Sequence, residues 1–143
     1  MTAASGREEM ERHYRSTTYW ARTPRGAIPL RIDLGSAALA ALLAEYGADD
    51  WAFLTAWNPG SVPAGAESNR AAQRRLLQRL RECAAVVFPG RGVPDGVAWE
   101  PEQSWLALDL SPERALALGG EFGQIAILAG RGGAPARLLW TQA

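Results

Sequence analysis

Apolar positions along this chain follow two periods, and the places where one gives way to the other outline the elements. Residues 1–6 carry no pattern and are expected to be disordered, leaving 7–143 as a single domain. Arg7 to Arg15 is polar almost all round and supports at most a short solvated helix. Tyr14 to Ala21 and Ala27 to Asp33 then read as strands joined by the turn Thr23-Pro24-Arg25-Gly26, a hairpin whose second strand Pro29 assigns to an edge. Ser36 to Tyr46 changes to helical spacing: Leu39, Leu42, Leu43 and Tyr46 share a face, Ser36 can cap the start and Gly47 can end it. Trp51 to Trp57 is an unbroken apolar run, as expected of a strand covered on both faces.

After the loop 58–66 comes the longest helical pattern, Glu67 to Cys83, with Ala72, Leu76, Leu80 and Cys83 on one face and five arginines on the others. Ala85 to Phe88 reads as a short strand, Pro89 to Gly96 as a flexible connection and Gln103 to Leu110 as a strand. Ser111-Pro112-Glu113 signals a helix start by cap, proline and acid, and that helix runs to about Glu121. Gln124 to Ala129 and Ala136 to Trp140 complete the strands. The central order is β-α-β-β-α-β, which predicts an α+β fold with a ferredoxin-like core. An N-terminal hairpin plus helix and an extra C-terminal strand would be added to that core. Right-handed crossovers place the 51–57 strand between the 103–110 and 124–129 strands, antiparallel to both.

This topology gathers distant residues at one sheet edge. Asn58 should lie near Glu102 and Ser104 on one side and Gln124 on the other. The start of the long helix adds Ser68, Asn69, Arg70 and Gln73, and the 89–101 segment adds Arg91 and Trp99. Free amides at a helix start beside Arg70 and Arg74 suit an anion. Asn58, Asn69 and Gln124 offer mixed donors and acceptors, and Glu102 is the carboxylate able to act as acid or base. Each residue also has a plain structural role available: Asn58 before Pro59 composes a turn, Ser68 or Asn69 can cap a helix, and Glu102 can pair with Arg70 or Arg91 on the surface.

Composition narrows the chemistry. Lys+Arg and Asp+Glu both number 15, so the net charge is zero, and every basic residue is arginine. That balance argues against coating a nucleic acid. A single cysteine, Cys83, excludes an internal disulfide, and a single histidine, His13, makes a Ser-His-Asp triad a poor fit. No metal site is expected. The start lacks a secretory signal, and no apolar run reaches membrane-spanning length, so a cytoplasmic location without a membrane partner is expected.

Three motifs carry a family resemblance: TAWNPGS at 55–61 followed by Asn69 and Gln73, WEPEQSWLAL at 99–108, and EFGQIAIL at 121–128. In this order they resemble the bacterial domain-of-unknown-function family 3293, from about Tyr19 to Trp140. The resemblance implies no activity or cofactor; it points to Asn58, Pro59, Asn69, Glu102, Ser104 and Gln124 as the matching positions. Ile125 departs from the family's frequent Asn after the Gln, and Gly119-Gly120 replace better helix formers. The expectation is therefore a protein binding a polar or anionic ligand, nucleotide-like ones included, at the Asn58 edge, with Glu102 as the catalytic candidate. The alternative is a non-enzymatic interaction or regulatory module. RNA binding on an open sheet face is a third reading.

Overall fold

The computed structural model describes residues 3–96 and 101–142. Helix α1 (Ala3–Arg15) leads into the hairpin of β1 (Thr17–Thr23) and β2 (Gly26–Leu30), followed by α2 (Ala37–Glu45) and β3 (Asp50–Leu54). A 3-10 turn at Pro59–Ser61 precedes α3 (Ala66–Cys83), β4 (Val86–Pro94), β5 (Glu102–Leu108), α4 (Pro112–Glu121), β6 (Ala126–Arg131) and β7 (Arg137–Trp140). The fold is mixed α and β, with one antiparallel sheet of strand order β2-β1-β4-β5-β3-β6-β7. The expected neighbours of β3 are present: Phe53 pairs with Leu106 of β5 and with Leu128 of β6, both antiparallel.

What exceeds the ferredoxin-like expectation is the extent and curl of the sheet, which forms a half-barrel. The chain leaving β2 approaches the opposite edge, where Ile32 bridges Ala136 and the Asp33 amide donates to the Ala136 carbonyl at 2.8 Å. Strand alternation then separates two apolar layers. Tyr19, Ile28, Leu30, Trp51, Phe53, Phe88, Leu106, Leu108 and Leu128 fill the concave side beneath Leu39, Leu42 and Leu43 of α2. On the convex side Ala52, Leu54, Ala107, Ile127 and Ala129 pack against Leu76 and Leu80 of α3 and Ala115 and Leu118 of α4. Ser36 and Ser111 cap α2 and α4 as their sequence positions imply.

Several boundaries differ from the sequence pattern, each for a tertiary reason. Tyr14 and Arg15 end α1 instead of opening β1, and α1 takes in residues 3–6. β3 stops at Leu54 because the Ala56 amide turns away to the Gln73 side chain, donating to Oε1 at 2.7 Å. The largest correction is 89–94, which is strand and no flexible connection: it pairs with β1 from Gly90 to Pro94 and with β5 from Pro89 to Gly92. Glycine and proline there serve a close approach. A Cβ on Gly90 would sit 2.4 Å from the Trp20 carbonyl oxygen and 2.8 Å from the Phe53 ring.

Gly90→Ala is therefore expected to cost about 1–3 kcal/mol by forced displacement of β1 or Phe53, read as a lower urea midpoint with an unchanged slope.

Candidate functional site

The end of the half-barrel opposite α2 holds a cavity of about 440 Å³, roofed by Met10, His13 and Tyr14 of α1. Its floor is apolar, with Tyr19, Phe53, Ala126 and Leu128, and Tyr19 meets Phe53 edge-on with centroids 5.5 Å apart. Asn58, Glu102, Ser104 and Gln124 all line it, joined by Thr17, Thr55 and Trp57. The antiparallel register brings them together: β3 ends where β1, β5 and β6 begin, so residues far apart in sequence share one mouth.

Asn58 takes a left-handed conformation (φ 45°, ψ 68°), a region Asn tolerates better than most residues. Its side chain is oriented from behind. Oδ1 accepts from the Ala64 amide at 3.1 Å and from Asn69 Nδ2 at 2.8 Å, while Asn69 Oδ1 accepts the Asn58 amide at 2.8 Å. Because backbone donors fix both oxygens, the amide orientations are unambiguous. Asn58 Nδ2 is left with no hydrogen-bond partner among the described residues. Gln124 has the complementary arrangement: Nε2 donates to the Trp57 carbonyl at 3.2 Å, and Oε1 has no partner among the described residues.

The two loops that carry Asn58 and Gln124 interlock. The Gly60 amide donates to the Gly123 carbonyl at 2.7 Å, and Gly123 (φ 72°) lies so close that a Cβ there would meet Pro59 at 2.8 Å. The N-P-G and F-G-Q sequences are thus two halves of one joint. Asn69 and Gln73, each 3% exposed, serve this joint from inside and do not line the cavity. Gln73 Nε2 donates to the Gln103 carbonyl at 2.6 Å while Oε1 holds the Ala56 amide. Ser68 and Arg70 are exposed on α3 and stand apart from the cavity; neither caps the helix, whose N-cap is Gly65. Arg91 faces away on the convex side, and Trp99 lies outside the described residues.

Glu102 is the carboxylate in the wall. The residue as a whole is exposed, yet its carboxyl loses enough water against the cavity to hold its pKa above the usual carboxylate value. It has no ion-pair partner among the described residues. Burial first, and then the nearby Glu102 carboxylate, push the Tyr14 phenol up to about 12. Burial, reinforced by Tyr14, raises Tyr19 further, and its hydroxyl donates to the Tyr14 carbonyl at 3.0 Å. Ser104 donates to the Glu102 carbonyl at 3.2 Å and has no basic partner among the described residues. Among the described residues no group of three or more His, Cys, Asp or Glu could hold a metal ion.

His13, Tyr14, Thr17 and Tyr19 were not legible as site residues. The alternation Thr17, Tyr19, Ala21 does mark one face of β1, but nothing local says that this face closes over Asn58. His13 reaches the mouth only because α1 lies across it.

The fold and cavity define a small α/β protein with a curled antiparallel sheet and one ligand-sized hollow at its open end. Residues 54–127 match the family described as "Protein of unknown function (DUF3293)", and the chain belongs to that family. The matched span begins at the last residue of β3 and ends in β6, so it contains the whole interlocked joint. No curated protein and no solved structure matches the chain. No helix among the described residues is long and apolar enough to cross a membrane.

Asn69→Ala and Gln73→Ala each strip buried backbone groups of their partners and are expected to destabilise by about 1–3 kcal/mol. Ser68→Ala and Arg70→Ala should stay within about 0.5 kcal/mol, all four read by denaturant unfolding. Glu102 has a raised pKa in the fold, so between its unfolded and folded values the native state binds the extra proton and stability falls as pH rises. Glu102→Gln should therefore raise Tm above wild type at pH 7, with the difference vanishing once pH drops below the ordinary Glu value.

Proposed function

We propose that the protein binds a small, flat, neutral or cationic molecule in the cavity beneath α1. The observation that carries this reading is the pair of unsatisfied, pre-oriented amide groups, Asn58 Nδ2 and Gln124 Oε1, in the same wall as the Glu102 carboxyl. Both amides are already held by protein bonds through their other side-chain atom, so binding would not have to pay for ordering them. A ligand would offer an acceptor to Asn58, a donor to Gln124, and a second donor or a positive charge to Glu102. Its body would lie on Phe53 and Tyr19.

The anionic half of the sequence expectation is not retained in this proposal. Among the described residues no arginine lines the cavity, and Arg70 and Arg74 stay on the exposed side of α3. A phosphate beside Glu102 would meet like charge. Glu102 is also the group suited to proton transfer, since a carboxyl with a raised pKa exchanges its proton closer to neutrality. The reading keeps the cytoplasm as the expected location.

A thermal-shift screen of nucleobases, nucleosides, amides and small amines tests the proposal. At least one is expected to raise Tm, by the mass-action stabilisation of a ligand that binds only the native state. Asn58→Ala and Gln124→Ala should each abolish that shift, read against the variant's own ligand-free Tm, which is expected to fall for Asn58→Ala because Ala64 and Asn69 lose their acceptor. A wild-type protein that responds only to anions, or a shift that survives both substitutions, would refute it.

A further inference from the structure

The convex face of the sheet is covered only in part. Helices α3 and α4 lie over β5, β3 and β6, whereas no described element packs on the outer side of β1 and the second half of β4. Cross-strand register assembles the outward residues there: Trp20 stands opposite Arg91, which stands opposite Gln103, and Pro89 stands opposite Trp105. Trp20 and Trp105 are both half-buried, Trp105 packing in part against the α3 and α4 core, and together with Arg22, Arg91 and Gln103 they border a shallow hollow of about 500 Å³. The indole of Trp105 is pinned by its Nε1, which donates to the Gln73 carbonyl at 3.2 Å. Two strand spacings separate the tryptophans, roughly 10 Å.

The border of this face is also basic. At about 3.6 residues per turn, Arg75 and Arg79 share the flank of α3 that faces α4, where Arg79 reaches Glu121. Arg70, Arg74 and Arg81 fall on the outer, solvent-facing flank of the helix. None of Arg22, Arg70, Arg74, Arg81 and Arg91 joins an ion pair among the described residues, and Glu67 is the acid on that flank.

We infer that the uncovered outer side of β1 and the second half of β4, with Trp20 and the partly covered Trp105 beside Arg22 and Arg91 and the arginines of α3 beyond them, is a docking surface for single-stranded nucleic acid. The chemistry matches the partner at two points. Half-exposed indoles on a rigid sheet offer stacking surface to unpaired bases, and guanidiniums at the border meet the phosphates that connect them. A duplex hides its base faces and would lose the first of these. The surface is separate from the cavity beneath α1, which opens on the concave side.

Fluorescence anisotropy of a labelled fifteen-residue oligothymidylate with the full chain tests the inference. The wild type is expected to bind at low salt with affinity falling as salt rises. At about −0.7 in logarithmic slope per phosphate, two to five contacts predict a loss of roughly 7- to 130-fold between about 50 and 200 mM. Trp20→Ala should weaken binding at least about fivefold. Arg22→Glu/Arg91→Glu should abolish it, as should Arg70→Glu/Arg74→Glu, whose exposed helix positions leave the sheet untouched. Arg75→Glu/Arg137→Glu, with the same change in net charge placed elsewhere, should bind like wild type. The inference is overturned if the wild type shows no binding up to about 100 µM, the weak end of non-specific affinity. It is equally overturned if the control variant loses as much as the others, or if a duplex of the same length binds as well.

Discussion

The curl of the sheet depends on one close approach. Gly90 lets the backbone of β1 come against β4 while the Phe53 ring lies over the same spot, and any side chain there would hold the strands and the ring apart. With that contact made, the seven strands bend far enough for Ile32 and Ala136, on opposite margins, to bridge. The bend gives the sheet an inside and an outside with different duties. The inside closes over α2 at one end and leaves a hollow at the other. The outside carries two helices and a stretch of bare strand.

The polar residues around the hollow divide by what holds them. Asn69 and Gln73 spend every side-chain group on backbone or on Asn58, so their identity is explained by the strand end they secure. Asn58 and Gln124 spend half, and both residues line the cavity. The N-P-G, helix and F-G-Q segments of this chain all fall inside the matched span and touch one another: Gly60 to Gly123, Trp57 to Gln124 and Asn58 to Asn69 are contacts within one joint. A motif position is therefore not by itself a ligand position. Only the atoms without partners bear on chemistry, together with Glu102 in its desolvated corner.

Most elements and the central strand pairings were legible from periodicity, capping residues and chain order. The segment 89–94 was not, because Pro89, Gly90, Gly92 and Pro94 carry turn chemistry locally and are strand only through partners on both sides. The convergence of Asn58, Glu102, Ser104 and Gln124 followed from antiparallel order alone. Ser68 and Arg70, expected beside Asn58, lie on the exposed side of α3 and do not line the cavity, while Asn69 between them turns inward to Asn58 and Gly65, with no side chain, occupies the helix N-cap.

By itself the sequence determined the alternation that makes strands, the caps of α2 and α4, and the set of polar residues brought to one end of the sheet. These are local or topological facts, written in side-chain period and in the order of elements. Tertiary structure decided which atoms of those residues are already satisfied, how far the sheet curls, and that α1 roofs the hollow with His13 and Tyr14. Those outcomes depend on distances between segments remote in sequence, and a hydrogen bond or a missing Cβ acts only over a few ångströms.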